Sequence, residues 1–100
     1  MGLMGKKLKK RTDAPEIPPV SGQELRQQRE ARGITLDDIK ERTKIGKFTL
    51  KLIEDDMYSS LPAPVYLKSF IKQIAQMIGM DPERTADGYL KRMEESRKGK

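Results

Sequence analysis

A chain without histidine or cysteine has to draw its chemistry from carboxylates, lysines, hydroxyls or the backbone. Its most suggestive acidic groups are two adjacent pairs, Asp37-Asp38 and Asp55-Asp56. Neighbours on a helix point about 100° apart, and both pairs fall at helix-capping or loop positions, so neither reads as an acid–base pair. The missing imidazole removes every triad that needs a histidine base. The missing thiol removes disulfides and thiolate zinc sites. No glycine-rich phosphate loop or metal-ligand spacing is present. The expectation is a non-enzymatic protein with no catalytic residue, metal, cofactor or small-molecule substrate.

The basic groups are more informative. Lys44, Lys47 and Lys51 cluster around one predicted turn, where they could meet phosphates. A second group, Lys6, Lys7, Lys9, Lys10 and Arg11, lies in a terminal stretch that could follow a nucleic-acid backbone or enter a minor groove. The net charge of +6 is unevenly spread. Residues 1–12 carry five basic residues and no acid, and residues 91–100 carry five basic residues and two acids. The remaining middle holds 11 basic against 13 acidic residues, so the basic character belongs to the ends. No apolar run of about 18 residues exists to span a membrane. The basic N-terminus lacks the apolar segment of a signal peptide, and a cytoplasmic protein is expected.

One hundred residues suit one small domain. Residues 1–20 read as a mobile basic and proline-rich arm, because Pro15, Pro18 and Pro19 exclude a regular helix. Ser21-Gly22-Gln23-Glu24 matches a capping box and opens helix 1, about 21–32, which Gly33 closes. Thr35 caps helix 2, about 36–43, with acids in its first turn. Lys44-Ile45-Gly46 is a short turn before helix 3, about 47–55, and residues 56–62 are loop. Pro64 starts helix 4, about 64–78, which stops at Gly79. Asp81-Pro82 starts helix 5, about 82–95, in which Gly88 is a weak point of about 1 kcal/mol relative to Ala. Residues 21–95 form the domain and 96–100 a frayed basic tail. No strand is expected. Helical register assigns Leu25, Ile39, Ile45, Leu50, Ile53, Leu67, Ile71, Ile74 and Leu90 to the core.

Two short helices joined by a tight turn behind a capped first helix form the helix-turn-helix pattern. The segments Arg29-Glu30-Ala31-Arg32-Gly33-Ile34-Thr35-Leu36, Ile39 to Ile45 and Leu50 to Glu54 resemble the Cro/repressor-like, XRE-type helix-turn-helix family. The continuation Leu61-Pro62-Ala63-Pro64-Val65-Tyr66-Leu67-Lys68-Ser69-Phe70, then Ala75 and Ile78-Gly79-Met80-Asp81-Pro82, is similar to the cytoplasmic domain of the RodZ family of bacterial cell-shape proteins. The resemblance covers about residues 21–92. It implies an all-α, compact five-helix domain, and it implies that Arg29 and Glu54 pair across the core as scaffold. It also implies two jobs. Repressor-like relatives lay helix 3 in the DNA major groove. RodZ-type domains hold the actin-like filament protein MreB, largely through aromatic residues at the positions of Tyr66 and Phe70. RodZ proteins continue into a transmembrane helix, which is not among these residues.

Matched to the repressor pattern, Lys47, Phe48 and Leu52 take the outward, base-facing positions of helix 3, with Thr35, Lys44 and Lys51 also at the DNA. Arg on guanine and Asn or Gln on adenine make the best base contacts, and helix 3 has none of these. Lys47 could reach guanine or phosphate. Phe48 and Leu52 could touch a thymine methyl, meet a protein, or pack on neighbouring helices. On helix 4, Leu67, Ile71, Ile74 and Ile78 form one stripe and Tyr66, Phe70 and Met77 a second, about 90° away. The apolar arc exceeds the roughly 100° that a packed surface helix needs. Either the second stripe is a spare protein anchor, or helix 5 covers it through Tyr89 and Met93. The leading expectation is a DNA-binding regulator, probing double-stranded DNA with helix 3 and its basic arms. The alternative is an adaptor for an MreB-like filament or another protein.

Overall fold

The structure, a computed structural model, describes residues 17–98. The Lys6 to Arg11 cluster lies outside them. The described residues form five α-helices: α1 (Gly22–Ala31), α2 (Leu36–Thr43), α3 (Lys47–Glu54), α4 (Pro64–Met77) and α5 (Pro82–Lys98). A single 3-10 turn, Tyr58–Ser60, interrupts the loop between α3 and α4. The fold is all-α, as the sequence leads one to expect.

Local chemistry explains the boundaries. Ser21 Oγ accepts from the Glu24 N–H at 3.1 Å, which is half of the anticipated capping box. The reciprocal box forms instead at α2, where Asp38 N–H donates to Thr35 Oγ1 at 3.0 Å and Thr35 N–H donates to Asp38 Oδ2 at 2.9 Å. Hydrogen bonds from Thr35 hold the Asp38 carboxyl below its ordinary range. Gly33 and Gly79 take positive φ at the ends of α1 and α4, the conformation that glycine adopts without steric cost. Lys44 also turns left-handed, with φ of 67°, and reverses the chain between α2 and α3. Thr43 braces this turn: its hydroxyl donates to the Ile39 carbonyl at 2.7 Å and accepts from the Ile45 N–H at 3.1 Å.

The core gathers Leu25, Ile39, Ile45, Leu50, Ile53, Leu67, Ile71, Ile74 and Ile78, all buried. Leu90 departs from expectation. It is only partly buried and packs on the edge of the core, while Ala86, Tyr89 and Met93 occupy the interior. Leu90 thus flanks the buried stripe of α5, about 100° round the helix from Tyr89. The helix also runs on through Lys98, beyond the fraying point expected near Glu95.

Residues 17–20, the last of the anticipated arm, lie as a strap against α5. Val20 is buried, its N–H donates to the Gly88 carbonyl at 3.1 Å, and Lys91 Nζ donates to the Ile17 carbonyl at 3.0 Å. Gly88 makes this possible, because a Cβ there would strike the Pro18 carbonyl oxygen and sit 2.7 Å from Val20 Cγ2. A residue that reads as a helix defect is thus the seat of the strap. Gly88→Ala adds helix propensity of about 1 kcal/mol, yet it should lower the melting temperature because the strap must lift. A rise in melting temperature would show that the strap of residues 17–20 is worth less than the roughly 1 kcal/mol of helix propensity gained.

Candidate functional site

The second half of the helix-turn-helix unit, α3, presents a short face whose scaffold is held from behind. Leu50 and Ile53 turn inward and are buried. Glu54, at the end of the helix, pairs with Arg29 of α1 in a fork: Arg29 Nε donates to Glu54 Oε2 at 2.7 Å and Nη2 donates to Oε1 at 3.0 Å. The third guanidinium nitrogen, Nη1, donates to the Ile34 carbonyl at 3.0 Å. The two side chains are only 10% and 9% exposed. The Glu54 hydrogen bond raises the Arg29 guanidinium above its already high ordinary value, against the opposing effect of burial. This fork fixes the angle at which α3 leaves the core, and the geometry is that of a scaffold.

A second joint, which sequence reasoning misses, locks the C-terminal end of α3. Tyr89 on α5 donates its hydroxyl to the Ile53 carbonyl at 2.6 Å. Asp56, in the left-handed conformation with φ of 54°, accepts from the Gly22 N–H at 2.9 Å through Oδ1 and from Arg92 Nη1 at 2.9 Å through Oδ2. Arg92 Nη1 also donates to the Tyr58 hydroxyl at 2.9 Å, and the rings of Tyr58 and Tyr89 meet edge to face at 6.0 Å. At Gly22 a Cβ would collide with the backbone carbonyl oxygens of Ile53 and Glu54. Helices α1 and α5 therefore both clamp the same end of α3. Among the described residues every buried side-chain nitrogen and oxygen has a hydrogen-bond partner.

With its back and its C-terminal end fixed, α3 presents Lys47, Phe48 and Lys51 outward, all exposed. Phe48 is 74% exposed, so it is not a core residue. Leu52, expected outward with them, is half-buried. The loop after α3 folds back at that point, with Met57 N–H donating to the Leu52 carbonyl at 3.0 Å. Lys44 projects from the turn and is exposed. Thr35 is exposed too, but its hydroxyl oxygen serves as the α2 cap. Lys47 Nζ lies 3.3 Å from Asp37 Oδ1. The surface is cationic at three lysines, apolar at Phe48, and carries no guanidinium or amide on the exposed face of α3.

The aromatic pair of α4 is split. Tyr66 is 62% exposed, and Val65 beside it is exposed as well. Phe70, one turn on, is half-buried and packs with Met77 against the core. Helix α5 lies along the side of α4 that carries Lys68 and Lys72, where Lys72 Nζ is 2.9 Å from Glu83 Oε2 and Lys68 Nζ is 3.4 Å from Asp87 Oδ1. The second stripe is half-covered at Phe70 and Met77 and bare at Tyr66. Among the described residues no helix is long and apolar enough to cross a membrane.

Comparison with known proteins places this geometry. Cytoskeleton protein RodZ of Streptococcus pneumoniae is 34% identical over 68 residues, which is 68% of this chain and 25% of that protein. The uncharacterised membrane protein YmfM of Bacillus subtilis is 34% identical over 58 residues, 58% of this chain and 20% of that protein. The chain therefore spans a quarter or less of the curated relatives that it matches. Among solved structures, YmfM of Staphylococcus aureus, described as a candidate DNA-binding membrane protein, superposes with a TM-score of 0.64 at 28% identity, covering 72% of this chain and 88% of that one. Residues 24–85, which hold most of α1, the turn between α2 and α3, all of α4 and the start of α5, match the model of a helix-turn-helix domain family, and the chain belongs to that family.

Proposed function

We propose that this chain binds double-stranded DNA through the outward face of α3, as a non-enzymatic regulator working in the cytoplasm and with little sequence selectivity. The observation that carries this reading is the joint exposure of Lys47, Phe48 and Lys51 on a helix clamped at its back and at its C-terminal end. Rigid presentation lets an eight-residue helix enter a groove without losing further order. Two lysines on the helix and Lys44 at the turn suit phosphates. Phe48 suits the thymine methyl, the apolar mark in the major groove. No Arg, Asn or Gln stands on α3 to form the strong two-pronged base contacts, so affinity comes from phosphate neutralisation. The Lys6 to Arg11 cluster adds to it through charge.

The test is a salt titration of the full chain on a random duplex, read by fluorescence anisotropy. Replacing Lys47 and Lys51 by Ala should weaken binding on all sequences alike. It should also flatten the dependence of log K on log salt by about 0.9 for each phosphate that is no longer neutralised. Deleting residues 1–12 should act in the same way. A salt slope unchanged in both variants would refute the reading.

One observation favours a second reading, an adaptor for an MreB-like filament or another protein. Val65 and Tyr66 lie side by side, exposed, on the first turn of α4. Tyrosine is enriched among the residues that dominate protein interfaces. Under this reading Tyr66→Ala abolishes co-sedimentation with the filament while Lys47→Ala leaves it intact. Tyr66→Ala should melt within a few degrees of the parent, because an exposed ring contributes little to the core.

A further inference from the structure

The exposed face of α3 does not present all of its charge freely. Lys47, its first residue, lies against the carboxylate of Asp37 in the first turn of α2, with Nζ 3.3 Å from Oδ1. The neighbouring Asp38 is committed to the Thr35 capping box, so Asp37 is the acid of this turn that is free to follow the lysine. Among the described residues, Lys44 and Lys51 have no such acidic partner. The ion pair therefore singles out the lysine at the end of α3 nearest the turn.

We propose that Asp37 is an intramolecular competitor for the DNA backbone. It occupies the Lys47 ammonium in the free protein, and a phosphate must displace it before Lys47 can engage. The proposal rests on the DNA reading above and names the residue that sets its strength. A lysine already neutralised by a carboxylate contributes less to the release of counterions from DNA, because the freed carboxylate gathers cations of its own. The acids at this helix end add a second effect. A helix N-terminus attracts phosphate through its free N–H groups and dipole, whereas here Asp37 and Asp38 fill that position with negative charge. Contact with the duplex is thereby confined to α3 and the turn, and it is held weak and readily reversible.

The experiment compares four full-length proteins on a random-sequence duplex over a series of salt concentrations: the parent, Asp37→Asn, Lys47→Ala and the double variant. Exposed ion pairs are weak, so Asp37→Asn should tighten binding about two- to five-fold at low salt. It should also steepen the salt dependence, by less than the roughly 0.9 of one whole phosphate contact, since Lys47 already contributes in part. In the Lys47→Ala background the same change should give no gain, because the competitor then has nothing to withhold. Asp37→Glu, which keeps the charge, should bind as the parent does. An equal gain in both backgrounds would assign the effect to bulk charge and overturn the proposal, as would no gain in either. A parent that binds duplex with a clear salt slope while Asp37→Asn is indistinguishable from it removes the competitor alone. A parent that fails to bind even at low salt removes the DNA reading, and the competitor with it. Asn matches Asp in shape and the Asp38 box is untouched, so the variants should melt within a few degrees of the parent, the small loss reflecting the acid at the helix N-terminus.

Discussion

Glu54→Ala should cost about 3–5 kcal/mol of stability, more than any surface substitution in this chain, because it strands the Arg29 guanidinium in a site built for a carboxylate. The fork supplies two of the three hydrogen bonds that Arg29 makes across the core, at 2.7 and 3.0 Å. After truncation the Ile34 carbonyl is the hydrogen-bond partner that remains, with the exposed Glu30 carboxylate 4.0 Å from Nη2. Little solvent reaches the site to compensate, since both side chains are about nine-tenths covered. Burying an ion pair is itself expensive, so the pair need not add net stability over an apolar replacement of similar volume. The expected pattern in urea denaturation therefore has two parts. Either single truncation is severely destabilising, and the joint replacement Arg29→Met with Glu54→Leu recovers most of the loss. A Glu54→Ala protein that unfolds at the parent's urea midpoint would show that the fork is decorative.

The elements whose causes are local are legible in the sequence itself. Thr35 with Asp38, Gly33, Gly79 and Asp81-Pro82 each mark a helix end through chemistry contained within a few residues, and the bounds of α2 follow from them directly. Ile39, Ile45, Leu50 and Ile53 share a register that has one interior solution, and all four are buried. What the sequence hides is whatever depends on a partner far along the chain. Gly88 looks like a weakness of α5 until Pro18 and Val20 are seen lying across it. Asp56 looks like a solvated loop acid until Gly22 and Arg92 are found on its two oxygens. The choice between Tyr89 and Leu90 is a matter of helix phase. Both are apolar and adjacent, and in the fold it is Tyr89 that lies inward, with its hydroxyl donating to the Ile53 carbonyl. Periodicity alone carries no such information.

The candidate interface is legible in type more than in detail. That α3 bears lysines and lacks base-reading side chains follows from its composition. That Phe48 is exposed while Leu52 is half-buried is not given by helix spacing alone. The aromatic stripe of α4 shows the same division. Helical spacing identifies Tyr66 and Phe70 as neighbours one turn apart, but it does not say that Phe70 packs on the core while Tyr66 is left bare. A site read from sequence is in this way a set of residues on a face, and the packing of distant helices determines which of them a partner can touch.

Tyr89→Ala should be the most damaging change on α5, at about 3–5 kcal/mol for an emptied aromatic core site. The ring is fully buried, stacks edge to face on Tyr58, and delivers its hydroxyl to the Ile53 carbonyl at the clamped end of α3. Tyr89→Phe separates the two contributions. It keeps the ring and removes the hydrogen bond, so it should cost about 0.5–1.5 kcal/mol. That carbonyl also accepts the Asp56 N–H at 3.2 Å and is not left without a donor. The same hydroxyl predicts a pH dependence. Burial, with the nearby Asp56 charge, pushes the Tyr89 phenol far above its ordinary value of about 10, and burial raises Tyr58 in the same direction. The folded state thus holds a proton that the unfolded chain releases first. This stability is fully present below about pH 10 and is lost as pH rises above it. Urea midpoints followed from pH 8 to 12 should fall steeply at the alkaline end for the parent and less steeply for Tyr89→Phe, which has one fewer phenol to ionise on unfolding. Parallel curves for the two proteins would mean that Tyr89 ionises as readily in the fold as in water, and the clamp on α3 would be without its central hydrogen bond.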